Sequence, residues 1–444
     1  MKPFSSSFWL NSLFYTFLQR FALFLFGAVS YIVMAHQFEP ETFSHWALFV
    51  VLISLIEGAK NGLLRNPAIK FFAMPQYEDR RNEVESSSFV VNLLFSVLVC
   101  LLFFAFGDML ARWLQSDTLH ELIPGGIVII LINIFFSHFE MLLQARFRFE
   151  KIFAANFTRQ FLFFSGIILL RFFPEYFLLG NILLVQIFST IIGTLLIYYF
   201  ASANQQGNFQ FNRQMFVHML QFGKYTFGTN LFAQAGRNLD QLLTAMLLDP
   251  FQGRLYVSFY NVVNRINNMM DVPALAAADV AFPKNVETMR LEGSKRLKEH
   301  FEKMAGAILA VMLPVTVLML LIPKIFLLII GGKDYYPAAP LLQIAMLFGW
   351  VRPLSYHFGA MMDAIGKPQL NFKVNALFFG VSLVLHVFFI MTTGGIGGAI
   401  AIAILYLLMM FIMYRILHRQ LGVEVLLILQ AIKSTYVNVF KRLV

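Results

Sequence analysis

Long apolar stretches alternate with short polar segments along the chain, and each stretch has the length of a membrane-spanning helix. A hydrocarbon core of about 30 Å requires about 20 consecutive apolar residues in a helix, and runs of this length recur through most of the sequence. We place spans at residues 9–35, 43–65, 86–107, 119–144, 154–172, 177–200, 222–248, 255–281, 305–331, 338–362, 372–392 and 395–417. The pattern therefore predicts an all-α polytopic membrane protein with twelve transmembrane helices.

The last segment, residues 422–444, has a different pattern. Its apolar positions form one helical stripe, while Lys433 and Lys441 lie elsewhere on the helix. The stripe consists of Val425, Leu429, Ile432, Tyr436 and Val439. This arrangement favours an amphipathic helix lying in the cytoplasmic membrane interface. A thirteenth span is the alternative.

Basic residues predict the orientation of the chain in the membrane. Outside the span interiors, twenty-four lysines and arginines fall on one side of the twelve-span arrangement and five on the other. Because basic residues accumulate in cytoplasmic segments, both termini are predicted to be cytoplasmic. The same asymmetry explains the formal net charge of +10 without a nucleic-acid partner.

Composition agrees with a membrane protein. Of the 444 residues, 59% are hydrophobic and 13% are charged, whereas soluble proteins contain about 25% charged residues. The single cysteine, Cys100, excludes an intramolecular disulfide.

Ionisable side chains in the middle of predicted spans are the strongest functional signal. There are nine of them: Arg20, Glu57, Lys60, Glu140, Arg237, Asp240, Arg265, Asp271 and Arg352. If all faced lipid, their insertion would cost about 25–30 kcal/mol, which exceeds the usual stability of a domain, about 5–15 kcal/mol. These side chains must therefore face a shared polar interior, which favours a transport function.

The charged spans follow a repeat. Spans 1, 2 and 4 are polar in the first half, and spans 7, 8 and 10 are polar in the second. This spacing predicts two six-helix lobes, residues 1–201 and 202–421, followed by the tail at 422–444. Parallel six-helix repeats related by an axis along the membrane normal are a known transporter architecture. We therefore expect pseudo-twofold symmetry about a central cavity.

Polar residues within the charged spans share helix faces and include side chains suited to phosphate- or hydroxyl-rich cargo. Arginine offers paired donors that match phosphate geometry. The predicted cavity residues are Arg20, Lys60, Arg237, Asn264, Arg265, Asn268 and Arg352. The acids predicted to couple transport to an ion gradient are Glu57, Asp240 and Asp271. Several alternatives remain open: Glu57–Lys60 could be a structural ion pair, Arg237 and Asp240 could join the lobes, and each acid could only balance an arginine.

Catalytic signatures are missing from the sequence. It contains no Walker loop, no His/Cys spacing typical of zinc sites and no GxSxG elbow. We therefore predict that the chain is not an enzyme and uses no cofactor or metal. Transport would then draw on an ion gradient, the membrane potential or consumption of the cargo.

Three stretches resemble a known family. They are FGKYTFGTNLFAQAGRNLDQLLTAMLL with GRLYVSFYNVVNRINNMMDVPALAAADVAFPKN in 222–285, then EGAKNG at 57–62, then RPLSYHFGAMMDAIGKPQL at 352–370. These stretches are similar to Wzx-type O-antigen and capsule repeat-unit flippases, which belong to the MOP (multidrug, oligosaccharidyl-lipid, polysaccharide) exporter superfamily. Asp240, Tyr256 and Pro283 are among the matching positions, whereas Phe259 stands where the family usually has a small residue.

The resemblance implies a fold and a function. The fold would be a MATE-like inverted V that alternates between cytoplasm-open and periplasm-open states. Its cargo would be an oligosaccharide repeat unit on a polyprenyl diphosphate, flipped across the bacterial inner membrane for surface polysaccharide synthesis. Membrane lipid would surround the protein, and polysaccharide polymerase or chain-length proteins would be partners.

Two other functions remain open from the sequence. One is a small-molecule or drug ion antiporter of the same superfamily, which typically carries fewer cavity arginines. The other is a membrane-embedded glycosyltransferase, polymerase or ligase. Such enzymes generally have a sizeable outside loop, and no such loop is predicted here.

Overall fold

The computed structural model describes Leu18 and residues 25–73, 77, 79–146, 148–202, 209–365 and 367–443. Within these ranges the chain is helical and contains no strand. The helices up to Ser202 are α1 (Leu25–Gln37), α2 (Pro40–Leu63), α3 (Arg65–Ala73), α4 (Arg81–Trp113), α5 (Asp117–Ala145), α6 (Phe149–Arg171) and α7 (Leu179–Ser202). The next are α8 (Arg213–Arg237), α9 (Leu239–Leu247), α10 (Pro250–Leu291), α11 (Gly293–Leu321) and α12 (Pro323–Ile330). The last are α13 (Ala339–Met346), α14 (Val351–Ala364), α15 (Pro368–Thr393), α16 (Gly397–Leu421) and α17 (Val425–Leu443).

The predicted all-α polytopic fold is confirmed. Seven helical stretches in the described chain are long and apolar enough to cross a membrane, one of them running from Gln369 to Leu421 through α15 and α16. Predicted spans 7, 9 and 10 are each divided into two helices, at Asn238, at Ile322 and between Met346 and Val351. Pro323 begins α12, where its missing N–H is tolerated, so it accounts for the second break.

The outer face of α4 shows what surrounds the bundle. Leu98, Leu101 and Phe104 are 55%, 60% and 85% exposed, although a soluble protein would bury such side chains. A continuous apolar face of this kind is suited to contact with lipid.

The contacts divide the chain into two units, Met1–Ala235 and Gly236–Val444. Helix α8 up to Ala235 belongs to the first of these units. The lobe boundary predicted after Ala201 stays a prediction. The contact of α8 with α2 is close: the Thr226 hydroxyl donates to the Gly62 carbonyl at 2.5 Å, and a Cβ on Gly62 would lie 2.4 Å from the Thr226 carbonyl oxygen. Gly58 and Gly62 form a G-x-x-x-G pair, which allows helices to approach to backbone contact.

A glycine-rich turn between α15 and α16 packs against α10 in the second unit. The Tyr260 hydroxyl donates to the Gly395 carbonyl at 2.6 Å and accepts the Ala399 N–H at 2.8 Å. Gly394 has φ +68°, a conformation that favours glycine. A Cβ on Gly395 would lie 2.3 Å from the Tyr256 ring, so the glycines let two aromatic rings of α10 cover the turn.

The tail helix α17 is docked along α11. The Glu424 carboxylate accepts a hydrogen bond from Lys298 at 2.7 Å, and the Glu424 backbone N–H donates to the Glu302 carboxylate at 2.8 Å. The Lys298 ammonium lowers the pKa of the exposed Glu424 carboxyl. Further along, a Cβ on Gly306 would lie 2.4 Å from the Ala431 Cβ. The prediction that this helix lies in the membrane interface remains untested.

Candidate functional site

A buried carboxylate begins the polar site of the second unit. Asp240 lies in the first turn of α9, just after the break at Asn238, and is 2% exposed. It accepts the Asn264 amide at 2.7 Å and the Gln241 backbone N–H at 2.8 Å. Within the described chain, no basic group lies at salt-bridge distance from this carboxylate. The helix break thus places an acid without a counter-cation against the asparagine-rich face of α10.

The second element of this site is an ion pair between α10 and α14. Arg352 Nη2 lies 2.7 Å from Asp271 Oδ2, and the two side chains are 14% and 5% exposed. The same nitrogen donates to Asn268 Oδ1 at 2.7 Å, while the Tyr356 hydroxyl donates to Asp271 at 2.9 Å. A predicted cavity arginine and a predicted coupling acid therefore neutralise each other, and the Asn268 side chain remains exposed beside them.

A small pocket opens beside this ion pair. Asp271 and Arg352 line it together with Asn267, Met270, Met346, Gly349 and Tyr406. The pocket combines a charged pair, an amide and a phenol with apolar walls, so it can accept a polar group surrounded by apolar contacts.

The other two predicted arginines of this unit are Arg237 and Arg265. Arg237 is exposed at the end of α8 and interacts electrostatically with Asp271, Arg352 and Tyr356. Arg265 is half-buried next to Asn264 on α10. Two arginines, Arg237 and Arg352, therefore act on the single carboxylate of Asp271.

The first unit contains a separate charged group on α2. Lys60 Nζ lies 2.9 and 2.8 Å from the two carboxylate oxygens of Glu57, and Lys60 is only 1% exposed. Asn133 on α5 adds a weak hydrogen bond of 3.4 Å to Glu57. The spacing of three residues on one helix turn explains the pairing.

Arg159 was not among the predicted site residues, because its place near the cytoplasmic edge of predicted span 5 grouped it with the cytoplasmic basic residues. Arg159 lies ten residues after the first residue of α6, and its guanidinium stacks on the Phe136 ring at 4.3 Å. Asn156 links it to the acid of span 4, since Asn156 accepts from Arg159 at 3.4 Å and donates to Glu140 at 2.8 Å. The i, i+3 spacing of Asn156 and Arg159 was the signal in the sequence that these two side chains lie on one face of a helix.

The remaining predicted site residue, Arg20, lies outside the described residues. Tyr356 and Tyr406 were also missed, since aromatic residues in spans do not stand out from the 16% aromatic background. Tyr356 is four residues after Arg352, so helical spacing alone would have placed them together. Among the described residues, no group of three or more His, Cys, Asp or Glu side chains could hold a metal ion.

Solved structures define the class of the protein. An inward-facing multidrug resistance MATE transporter of the MOP superfamily superposes with a TM-score of 0.77 at 15% identity, covering 90% of this chain and 94% of that one. The lipid II flippase MurJ in an inward closed conformation gives a TM-score of 0.77 at 14% identity, covering 96% and 91%. The chain is therefore a multi-pass membrane protein with the fold of these two solved proteins, and the predicted fold is confirmed.

Sequence comparison gives the family. Residues 33–340 match the family described as "Polysaccharide biosynthesis protein", and the chain belongs to that family. It is 20% identical over 392 residues to the lipopolysaccharide biosynthesis protein WzxC of Escherichia coli (strain K12), covering 87% of this chain and 75% of that protein. It is 22% identical over 320 residues to the teichuronic acid biosynthesis protein TuaB of Bacillus subtilis (strain 168), covering 70% and 64%. The resemblance to polysaccharide transporters found in the sequence is thus confirmed.

Proposed function

We propose that this protein flips polyprenyl-diphosphate-linked oligosaccharide repeat units from the cytoplasmic to the periplasmic leaflet of a bacterial inner membrane. The observation that carries the proposal is the polar site of the second unit, in a chain of the polysaccharide biosynthesis family. There Arg237, Arg265 and Arg352 accompany the amides Asn264 and Asn268 inside an apolar helical bundle. Guanidinium groups suit the diphosphate, and amides suit sugar hydroxyls.

Transport would proceed by alternating access through a cavity in which Arg20 also takes part. The lipid tail would remain in the bilayer while the headgroup crosses, which avoids desolvating the diphosphate and sugar in hydrocarbon. Release of the cargo would supply a polysaccharide polymerase, which we propose as a functional partner. Both termini would be cytoplasmic.

A deletion strain tests the proposal. Loss of the protein should leave complete lipid-linked repeat units on the inner leaflet, detected by mass spectrometry of extracted lipids and by their resistance to periplasmic glycosidase. Arg265→Ala and Arg352→Ala should reproduce the defect while the protein remains inserted. Normal surface polysaccharide in the deletion strain would contradict the proposal, and normal export by both variants would contradict the arginine cavity.

We further propose that Asp240 couples transport to an ion gradient. Glu57 and Asp271, the other two predicted coupling acids, are each paired with a base, whereas the hydrogen bonds of Asp240 within the described chain come from an amide and the backbone. A buried acid without a counter-cation is the simplest of the three to load and unload with a proton. Asp240→Asn should abolish the response of transport to an imposed pH gradient in vesicles while cargo binding survives. Retained gradient-driven transport would exclude this role.

Ion-coupled export of small molecules is the second candidate, and the MATE-like fold favours it as much as lipid flipping. The family match favours the oligosaccharide. Drug susceptibility of the deletion strain separates the two candidate functions. Loss of a drug antiporter should make the strain more sensitive to drugs and leave its surface polysaccharide normal.

A further inference from the structure

Lys60 on α2 and Arg159 on α6 are basic side chains of the first unit whose surroundings differ. Lys60 is 1% exposed, and both oxygens of Glu57 lie within 2.9 Å of its ammonium. Such a group has no charge or access left for a ligand unless the ion pair breaks. Lys60 is therefore poorly placed to bind cargo.

Arg159 is held in place by packing and leaves most of its donors unused. A Cβ on Gly193 of α7 would lie 3.0 Å from the Arg159 Cβ, so the stem is pressed against the neighbouring helix. The guanidinium lies over Phe136, and its one hydrogen bond within the described chain is the 3.4 Å contact with Asn156. No carboxylate of the described residues lies at salt-bridge distance.

Two guanidinium nitrogens of Arg159, Nε and Nη1, are not fully enclosed. Within the described chain neither has a hydrogen-bond partner, and neither is among the enclosed polar atoms that lack one. A guanidinium carries five N–H donors in a fixed fork that matches two oxygens of one oxyanion. One long hydrogen bond leaves this fork available.

Glu140 sets a limit on binding at this position. Its carboxylate accepts from Asn156 at 2.8 Å, and Asn156 in turn accepts from Arg159, so the acid lies one side chain away from the guanidinium. An anion bound to Arg159 would be repelled by this carboxylate. Removal of the Glu140 charge should therefore strengthen anion binding.

Arg159 lies near the middle of α6. Ten residues separate it from Phe149, where α6 begins, which corresponds to about 15 Å along the helix. In the predicted orientation the start of α6 is cytoplasmic, so the guanidinium lies about halfway across the bilayer, at a depth that the headgroup of a flipped lipid would have to pass.

We propose that Arg159, rather than Lys60, is the basic residue through which the first unit binds an oxyanion of the cargo. The oxyanion is either a phosphate of the lipid diphosphate or a carboxylate of an acidic sugar. The inference rests on the proposed function and adds a binding residue to it. Phe136 orients the guanidinium, and Glu140 weakens its hold so that the cargo can leave.

Binding of inorganic pyrophosphate and of glucuronate to the purified protein in detergent tests the proposal and separates the two sources of the oxyanion. Arg159→Ala should weaken binding of at least one of them by about tenfold or more, since a charge-assisted hydrogen bond is lost. Arg159→Lys should weaken it less, and Glu140→Gln should strengthen it. Arg171→Ala, an exposed arginine at the end of the same helix, should leave both affinities unchanged.

Thermal unfolding without ligand, followed by tryptophan fluorescence, checks that each variant is folded. If Arg159→Ala is not folded, Arg159→Lys replaces it as the test variant. Unchanged binding of both anions by the folded Arg159 variant would overturn the inference, as would a loss that follows Lys60→Met instead. Absence of binding by the wild-type protein would also overturn it. The deletion-strain experiment would still decide the flippase function independently.

Discussion

The ion pair between Arg352 and Asp271 should make Arg352 important for stability as well as for transport. The perturbation is Arg352→Met, which keeps the apolar stem and removes the charge. It would leave the Asp271 carboxylate, 5% exposed, with the Tyr356 hydroxyl as its hydrogen-bond donor within the described chain and with Arg237 as the remaining cation that acts on it. Removing one partner of a buried ion pair costs about 3–5 kcal/mol, which corresponds to roughly two to four orders of magnitude in the unfolding equilibrium.

Equilibrium unfolding in mixed micelles, followed by tryptophan fluorescence, measures this loss. Asp271→Asn should cost less, because Arg352 keeps its contact with Asn268 and a greater exposure to solvent. The double variant Arg352→Met/Asp271→Asn should be more stable than Arg352→Met alone, because the buried charge is gone. Arg112→Met, at an exposed arginine on α4, is the control and should change stability little. Wild-type stability in Arg352→Met would refute a structural role for the pair.

Three further predictions concern the helix contact, the tail and the orientation. Gly62→Ala should lower the thermal unfolding temperature, because overpacking against Thr226 costs about 1–3 kcal/mol, whereas Gly380→Ala, with no atom within 4 Å, should raise or preserve it. A spin label at residue 433 should become more mobile in Glu424→Gln at neutral pH. Because the folded-state pKa of Glu424 is lowered from its usual 4.5, the pair stabilises the docked tail above that value, and the difference should vanish as pH falls through the lowered pKa. Reporter fusions at Asn204, Lys295 and Lys433 should be cytoplasmic, and those at Pro40, Asp117 and Asp249 periplasmic; several reversed sites would defeat the predicted arrangement.

Much of the helical fold could be predicted because membrane helices carry a strong signal. Apolar runs of spanning length predicted α2, α5 and α7 to within a few residues. Breaks within spans were harder to foresee, since Asn238 carries no breaker signal. The docking of α8 on α2 could not be foreseen either, because it depends on a close fit at Gly62 that hydropathy does not encode.

Glu57–Lys60 was foreseen as a possible ion pair, whereas the pairing of Arg352 with Asp271 was not. Burial cost alone singled out Arg352 and Asp271, and the structure brings them to 2.7 Å although 81 positions separate them. Such contacts between distant residues depend on helix packing and have no local signature. Arg159 was missed for a related reason, since a basic residue near a predicted span end could not be distinguished from a cytoplasmic one.

Translocation in proteoliposomes tests the flippase function most directly. Purified protein would be reconstituted with a lipid-linked oligosaccharide whose sugar is cleaved by an added glycosidase, and the fraction cleaved from outside would be followed with time. We expect the fraction to rise above the outer-leaflet share with the wild-type protein, and to rise slowly or not at all with Arg265→Ala/Arg352→Ala. A cleaved fraction that stays at the outer-leaflet share with active, correctly folded protein would contradict the proposed function.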